Sequence, residues 1–357
     1  MVRFPKIRPT SLMVALAALL LLALAGCSNP QSSFNPKSDT ADSIHTIYII
    51  VVTAASFVGA AVLLAMGWLL IKFRAKPGVP ARQIHGNNKL ELAWTMAPVL
   101  VLLTIGIPSM VWLAGSAKPD APDALEVVAT GHQWWFEFHY PGLGPNGDDL
   151  VTANELHVPV GREIAITLHS VDVIHSFWVP ELVGKTDMIP NRTNELNRFT
   201  PYEPGVYYGQ CAEFCGAAHA KMRFRVIVDT QADFDNWVAA HNAPPVEPAA
   251  GTAAARGKTA FAVCAGCHTI DGTTAQGKVG PNLTLLGDRL TLAAGIIDNN
   301  PQDLKDWITD VRSIKPIPDE ARFMPTFKGT LSDGQISDIV AYLESQKSDY
   351  TNPTVTP

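Results

Sequence analysis

Charge is scarce in this sequence. Asp, Glu, Lys and Arg make up 17% of its 357 residues, whereas soluble domains carry about 25%. That shortfall argues against an ordinary cytosolic protein and points to segments buried in lipid. A basic excess is also missing. The 27 Lys and Arg residues stand against 33 Asp and Glu, for a net charge of −6, so the electrostatic footprint of a nucleic-acid-binding protein is absent. Cysteine is sparse and odd in number, five in all, at 27, 211, 215, 264 and 267. A small secreted fold stapled by disulfides is thereby excluded. At roughly 100–200 residues per domain, the length leaves room for two or three folded units.

What is present begins with apolar runs. Arg3, Lys6 and Arg8 precede an apolar stretch from Leu12 to Ala25, which is too short to span a bilayer but fits the core of a signal peptide. It ends in Leu24-Ala25-Gly26-Cys27 and resembles a bacterial lipoprotein signal, which implies cleavage and acylation of Cys27. A plain secretory signal with an incidental cysteine is the alternative. Two further runs, 46–71 and 92–117, contain no charged residue, and each exceeds the roughly 20 residues that cross a bilayer. The loop between them holds Lys72, Arg74, Lys76, Arg82 and Lys89 against one acid, Glu91. Excess positive charge in a short loop places it in the cytoplasm and everything beyond the second span outside. Pro98 and Pro108 within that span are tolerable in a membrane helix but predict a bend.

Residues 119–230 read as β structure. Leu125–Thr130, Glu163–Leu168 and Phe224–Val228 are short, β-branched runs between turn formers, the pattern of a small sandwich or barrel. The chemistry lies in Cys211-Ala212-Glu213-Phe214-Cys215, followed by His219 and Met222. Two thiolates, an imidazole and a thioether on one loop select copper over hard, oxygen-preferring ions. Zinc is the main competitor, but its sites rarely recruit methionine. A Cys211–Cys215 disulfide is the blander reading.

These residues resemble the copper loop of cytochrome c oxidase subunit II, and Asp172-Val173-Ile174-His175-Ser176-Phe177 resembles the upstream segment that supplies that family's remaining ligand. The resemblance implies a cupredoxin-like sandwich holding the binuclear copper centre CuA. Cys211 and Cys215 would bridge two coppers, and His175 and His219 would bind one each. Met222 and the backbone carbonyl of Glu213 would be outer ligands, with the Glu213 side chain reaching a magnesium ion shared with subunit I. Gly131-His132-Gln133-Trp134-Trp135 resembles the family's aromatic stretch, which implies that Trp134 lies at the surface where electrons enter; a structural aromatic cluster is the reading for Trp135 and Phe136 and stays open for Trp134. Lys185-Thr186-Asp187 and Pro190-Asn191-Arg192 match the family's segment facing subunit I. Glu91-Leu92-Ala93-Trp94 matches the start of its second helix, which implies a place for Glu91 at the mouth of a proton pathway; solvation at the interface is the alternative. The other histidines, including His132, His139, His157, His169 and His241, read as surface, flanking or hydrogen-bonded residues.

From Ala239 to Arg256 the chain is rich in Ala and Pro and reads as a tether, one that would hold the C-terminal segment at a high effective concentration. Then comes Cys264-Ala265-Gly266-Cys267-His268, a C-x-x-C-H motif for covalent haem c attachment through two thioethers, with His268 on the iron. A thioredoxin-like dithiol would need a βαβ setting, and the flanks, including 331–346, read as helices. This stretch has one methionine, Met324, the simplest sixth ligand, and His/Met ligation suits an electron carrier. The pattern resembles a class I cytochrome c.

The predicted organisation is therefore a signal peptide (1–26), an outer N-terminal segment (27–43), a two-helix transmembrane hairpin (44–118), an all-β cupredoxin-like domain (119–230), a linker (231–256), an all-α cytochrome c domain (257–347) and a tail (348–357). The resemblance implies a two-pass protein of a bacterial inner membrane with both redox domains on the periplasmic side. It would pass electrons from a cytochrome c or a quinol-oxidising complex, through haem c and CuA, to subunit I, where dioxygen is reduced; subunit III would be a further neighbour. A copper-delivery lipoprotein and a quinol-oxidase subunit are the rival readings.

Overall fold

A computed structural model describes residues 31–354 apart from 76, 79, 81–84, 117–120 and 321–322. The signal segment and Cys27 lie outside the described residues. Two long helices come first, α1 (Asp39–Lys72) and α2 (Asn88–Ser116). Their apolar side chains, among them Leu63, Leu64, Ile71, Leu102 and Val111, point outward with nothing packed over them. That is the surface a lipid-embedded hairpin presents. Both helices begin before the charge-free runs do. For α1 the cause is local. Ser38 caps the helix by accepting from the Ala41 N–H, and Asp39 and Asp42 sit in the first turn, where acids favour the helix dipole. Ser38 Oγ also donates to the Leu182 carbonyl, and the Thr200 N–H donates to Asp39 at 2.8 Å. The first turns of α1 are thus pinned to the neighbouring β domain. Pro98 and Pro108 lie within α2 without ending it.

The next domain is a β-sandwich of two five-stranded sheets. One contains β1 (Leu125–His132), β2 (Trp135–Tyr140), β3 (Leu150–Ala153), β5 (Ile164–Ser170) and β8 (Asn194–Glu195), in the order β3-β2-β1-β5-β8. The other contains β4 (Glu155–Pro159), β6 (His175–Val179), β7 (Val183–Met188), β9 (Gly205–Cys211) and β10 (Arg223–Asp229), in the order β4-β10-β9-β6-β7. Alternation along β1 and β2 sends Leu125, Val127, Ala129, Phe136, Phe138 and Tyr140 inward. They meet Phe177 and Phe224 from the second sheet, with the Phe177 and Phe224 ring centroids 4.7 Å apart. Truncating such a ring costs about 3–5 kcal/mol, so this aromatic core is the stiff base on which the Cys211–Met222 loop sits.

The predicted linker is shorter than its composition implied. Residues Gln231–His241 form α3, capped by Thr230, and Phe234 and Trp237 bury themselves in the sandwich core. The apolar contribution of two aromatics outweighs the Ala-rich composition. The C-terminal domain starts at α4 (Ala253–Ala260) and continues through a short hairpin of β11 (Thr291–Leu292) and β12 (Ile297–Asp298). It ends with α5 (Pro301–Thr309), α6 (Val311–Ile314) and α7 (Asp333–Ser345). Its own core gathers Phe261, Leu304, Ile308, Ile336, Ile339 and Leu343.

This domain rests directly on the sandwich. The buried Glu155 carboxylate accepts from the Leu290 and Thr291 N–H groups at 2.9 and 3.0 Å. Arg223 N–H donates to the Ala294 carbonyl at 3.0 Å, and Arg225 donates to Gly295 at 3.3 Å. The tail folds back as well: Asn352 donates to Asp229 at 2.7 Å, and Tyr350 bonds to Asp233.

Candidate redox centres

The soft donors named from the sequence converge. Cys211 ends β9 and Cys215 lies four residues on in the adjoining loop; both are buried. Their sulfurs are 3.7 Å apart and unbonded, so the disulfide reading fails. His175 Nδ1 lies 3.9 Å from the Cys211 sulfur and His219 Nδ1 lies 3.6 Å from that of Cys215. Met222 Sδ is 3.8 Å from the Cys215 sulfur, and the Glu213 carbonyl is 3.2 Å from that of Cys211. Ligand atoms of His175, Cys211 and Cys215 all lie within 4.8 Å of one another. Two unbonded buried thiols among imidazoles and a thioether are a donor set that fits copper.

The sheet sets this geometry. His175 opens β6 and packs on Gly131 of β1, where any Cβ would come within 2.7 Å of the imidazole Cδ2. A residue that sequence reasoning gave no role, Asp172, orients the ring: its Oδ1 lies 2.9 Å from His175 Nε2, while Oδ2 accepts from the Gln133 N–H at 2.6 Å. A carboxylate on the far nitrogen turns the near nitrogen toward the sulfurs, and the spacing Asp172-x-x-His175 was the available signal. Burial opposes charge on His175, but Asp172 and the Cys211 sulfur outweigh it and raise its pKa above the ordinary value. The thiols share one proton. The hydrogen bond with Cys215, helped by His175, pulls Cys211 well below the ordinary thiol value, while the neighbouring Cys211 sulfur and burial push Cys215 up.

Trp134 departs from expectation. It is 4% exposed, not a surface residue, because the C-terminal domain covers it. The Phe323 ring stacks on it, with centroids 5.1 Å apart and planes 21° from parallel. On its other side the indole N–H donates to the Cys215 carbonyl at 3.0 Å, which also accepts from Gln133 Nε2 at 2.8 Å. Lys315, 3% exposed, reaches from the C-terminal domain to the Trp134 carbonyl at 2.5 Å. Burial pushes its ammonium down to about 7. Trp135 stacks on His132, and Phe136 is in the core.

In the C-terminal domain, Cys264, Cys267 and His268 lie on one helical turn, with the His268 N–H bonded to the Cys264 carbonyl at 3.0 Å. His268 Nδ1 lies 2.8 Å from the Pro281 carbonyl, which ties up that nitrogen and leaves Nε2 for a metal. Gly280 allows this approach, since a Cβ there would meet the His268 ring at 2.6 Å. Met324 is half-buried against the domain core. These residues fit a covalently held haem. Elsewhere, Glu91 accepts from the Asn87 N–H at 3.1 Å at the start of α2, a capping contact. Lys185, Asp187, Asn191 and Arg192 are exposed. His157 is buried against Asp229 at 2.8 Å, and His241 packs on Trp237.

Three segments match known families: 25–111 the transmembrane domain of cytochrome c oxidase subunit II, 125–230 its periplasmic domain, and 254–347 cytochrome c. Cytochrome c oxidase subunit 2 of Alkalihalophilus pseudofirmus is 33% identical over 92% of this chain and 95% of its own length. That of Bacillus sp. strain PS3 is 31% identical over 93% and 96%. The crystal structure of the periplasmic domain of subunit II of cytochrome oxidase from Bradyrhizobium japonicum is 33% identical, covering 34% of this chain and 95% of that one with a TM-score of 0.31. These families imply CuA copper, haem c and partnership with subunit I, in a two-pass membrane protein with a periplasmic domain. The chain belongs to the cytochrome c oxidase subunit II family, as a member that carries a C-terminal cytochrome c domain.

Proposed function

We propose that this chain receives electrons at haem c, relays them to CuA and delivers them to subunit I of a bacterial inner-membrane oxidase, where dioxygen is reduced. The observation that carries this reading is the contact between the two redox domains: the loop bearing Met324 lies against Trp134, which is hydrogen-bonded to Cys215. Cys211 and Cys215 would bridge two coppers, with His175 and His219 one to each and Met222 and the Glu213 carbonyl as outer ligands. When bound, the copper pair supplies a one-electron acceptor whose charge is spread over two metals. The protein's part is to hold the donors rigid and dry. Asp172 fixes His175, the sandwich core anchors both cysteines, and Gln133 and Trp134 pin the Cys215 carbonyl, so little has to move when the charge changes.

Cys264 and Cys267 would hold the haem through thioethers, with His268 and Met324 on the iron. The exposed Glu213 carboxylate would share a magnesium ion with subunit I. Exposed Lys185, Asp187 and Arg192 would form part of that same face, and Glu91 would stand at the cytoplasmic mouth of a proton pathway. Cys27 would be acylated, and subunit III would complete the complex. The donor would be a cytochrome c or a quinol-oxidising complex.

The test is purification of the complex from membranes with metal and haem counting. Two coppers and one covalent haem per copy of this chain, with a near-infrared band from the copper pair, are expected. One labile copper without that band would refute the relay and favour copper delivery. Oxidation of quinol but not of cytochrome c would favour the quinol-oxidase reading.

A further inference from the structure

The interface between the redox domains is continuous from one centre's ligand loop to the other's. Met324 is joined by one peptide unit to Phe323. The Phe323 ring lies face to face with the Trp134 indole at 5.1 Å, and the indole N–H is bonded to the Cys215 carbonyl at 3.0 Å. Lys315 locks the same junction. Its ammonium donates to the Trp134 carbonyl at 2.5 Å and, more weakly, to Ala293 at 3.4 Å. Lys221 donates to the Ile314 carbonyl from the other side. Ile317, between Lys315 and Phe323, packs against the sandwich core. Electron tunnelling decays steeply across empty gaps and less steeply through bonds and stacked rings. A contiguous path of one peptide, one ring stack and one hydrogen bond is therefore favoured over a jump through solvent.

We propose that Phe323 is the bridging residue for electron transfer from the haem-ligand loop to Trp134, that it simultaneously closes Trp134 to external donors, and that Lys315 is the positioning residue that holds the stack. The step moves one electron from ferrous haem iron, which becomes ferric, to the oxidised copper pair; no bond forms or breaks and no proton moves. The proposal rests on the relay reading and adds to it a specific path and a closed door. With Trp134 buried under Phe323, a protein donor cannot dock on that indole.

The test uses the intact oxidase. Haem c is photoreduced with a flavin, and the copper near-infrared band is followed in the parent and in Phe323→Leu, Phe323→Tyr and Lys315→Met. Hydrogen exchange of segment 131–136 is measured on the same preparations. Phe323→Leu should slow haem-to-copper transfer about tenfold or more, the scale on which lost positioning acts, with both optical spectra and the exchange of 131–136 as in the parent. Phe323→Tyr should restore the rate. Lys315→Met should raise exchange in 131–136 and slow transfer, with haem reduction by the flavin unchanged. A Phe323→Leu rate within twofold of the parent would overturn the bridge, because an aliphatic side chain would then serve as well as a ring. Failure of haem-to-copper transfer in the parent itself would overturn the relay reading, and the proposal with it.

Discussion

The two cysteine pairs occupy opposite surroundings. Cys211 and Cys215 are buried at a strand end, braced by Asp172, Gln133 and Trp134, and the first of them ionises readily. Cys264 is half-buried and Cys267 exposed on a helical turn, and burial pushes the Cys264 thiol up to about 11. The difference matches the chemistry each pair has to support. A metal ligand must be a thiolate, and of this pair Cys211 is the one whose pKa is lowered. A thiol awaiting a thioether bond gains from staying protonated and inert until its partner arrives. The Cys211–Cys215 site is prepared by the fold, whereas the domain around Cys264–His268 has a small core that a haem would complete. Loss of copper should therefore leave the sandwich folded, and loss of haem should loosen the C-terminal domain.

The strongest way to break this contrast is Cys211→Ala. It should abolish the binuclear copper band and electron delivery to subunit I while circular dichroism and the haem spectrum persist; normal turnover would sink the relay order. Next, Met324→Ala should remove the methionine-ligated haem spectrum with the copper band intact. Joint loss of both centres would show that the two sites are not separately built. Asp172→Asn should weaken copper binding by about 10–100-fold, the usual cost of losing a ligand's orienting partner, as measured by competition with a chelator.

Glu137 sharpens the comparison on the stability side. Burial works against its ionisation, but the adjacent imidazoles of His132 and His139 outweigh that and lower its pKa from 4.5 to about 2. A carboxylate held low in the fold contributes stability above about pH 4.5 that drains away as pH falls toward 2. Glu137→Gln should flatten that acid limb for the sandwich domain, read by denaturant melts against pH, and should leave the C-terminal domain's melts unchanged. The smallest effect expected is that of Glu91→Gln: reduced proton uptake in vesicles, with both redox centres unaltered.

Much of the fold was legible in local pattern. Charge-free runs marked α1 and α2, and β-branched runs marked β1, β5 and β10, because each is set by its own burial requirement. The clusters of soft donors were legible because such chemistry demands particular residue types at short spacing, as in the runs Cys211–Met222 and Cys264–His268. What could not be seen depends on segments distant in the chain. Lys315 meets Trp134 across 181 positions, and neither residue's neighbours announce the contact. For the same reason Trp134 was expected at an open surface. The helix over 231–241 was missed for a different reason: the Ala- and Pro-rich composition beginning at Ala239 masked a Thr230 cap and the two aromatic anchors, Phe234 and Trp237.

The central claim is the order of the relay, and rapid mixing of the oxidised complex with reduced cytochrome c tests it most directly when the haem c and copper near-infrared bands are followed together. The account predicts that haem c is reduced first and that the copper band bleaches only afterwards. Bleaching of copper ahead of haem c would contradict it.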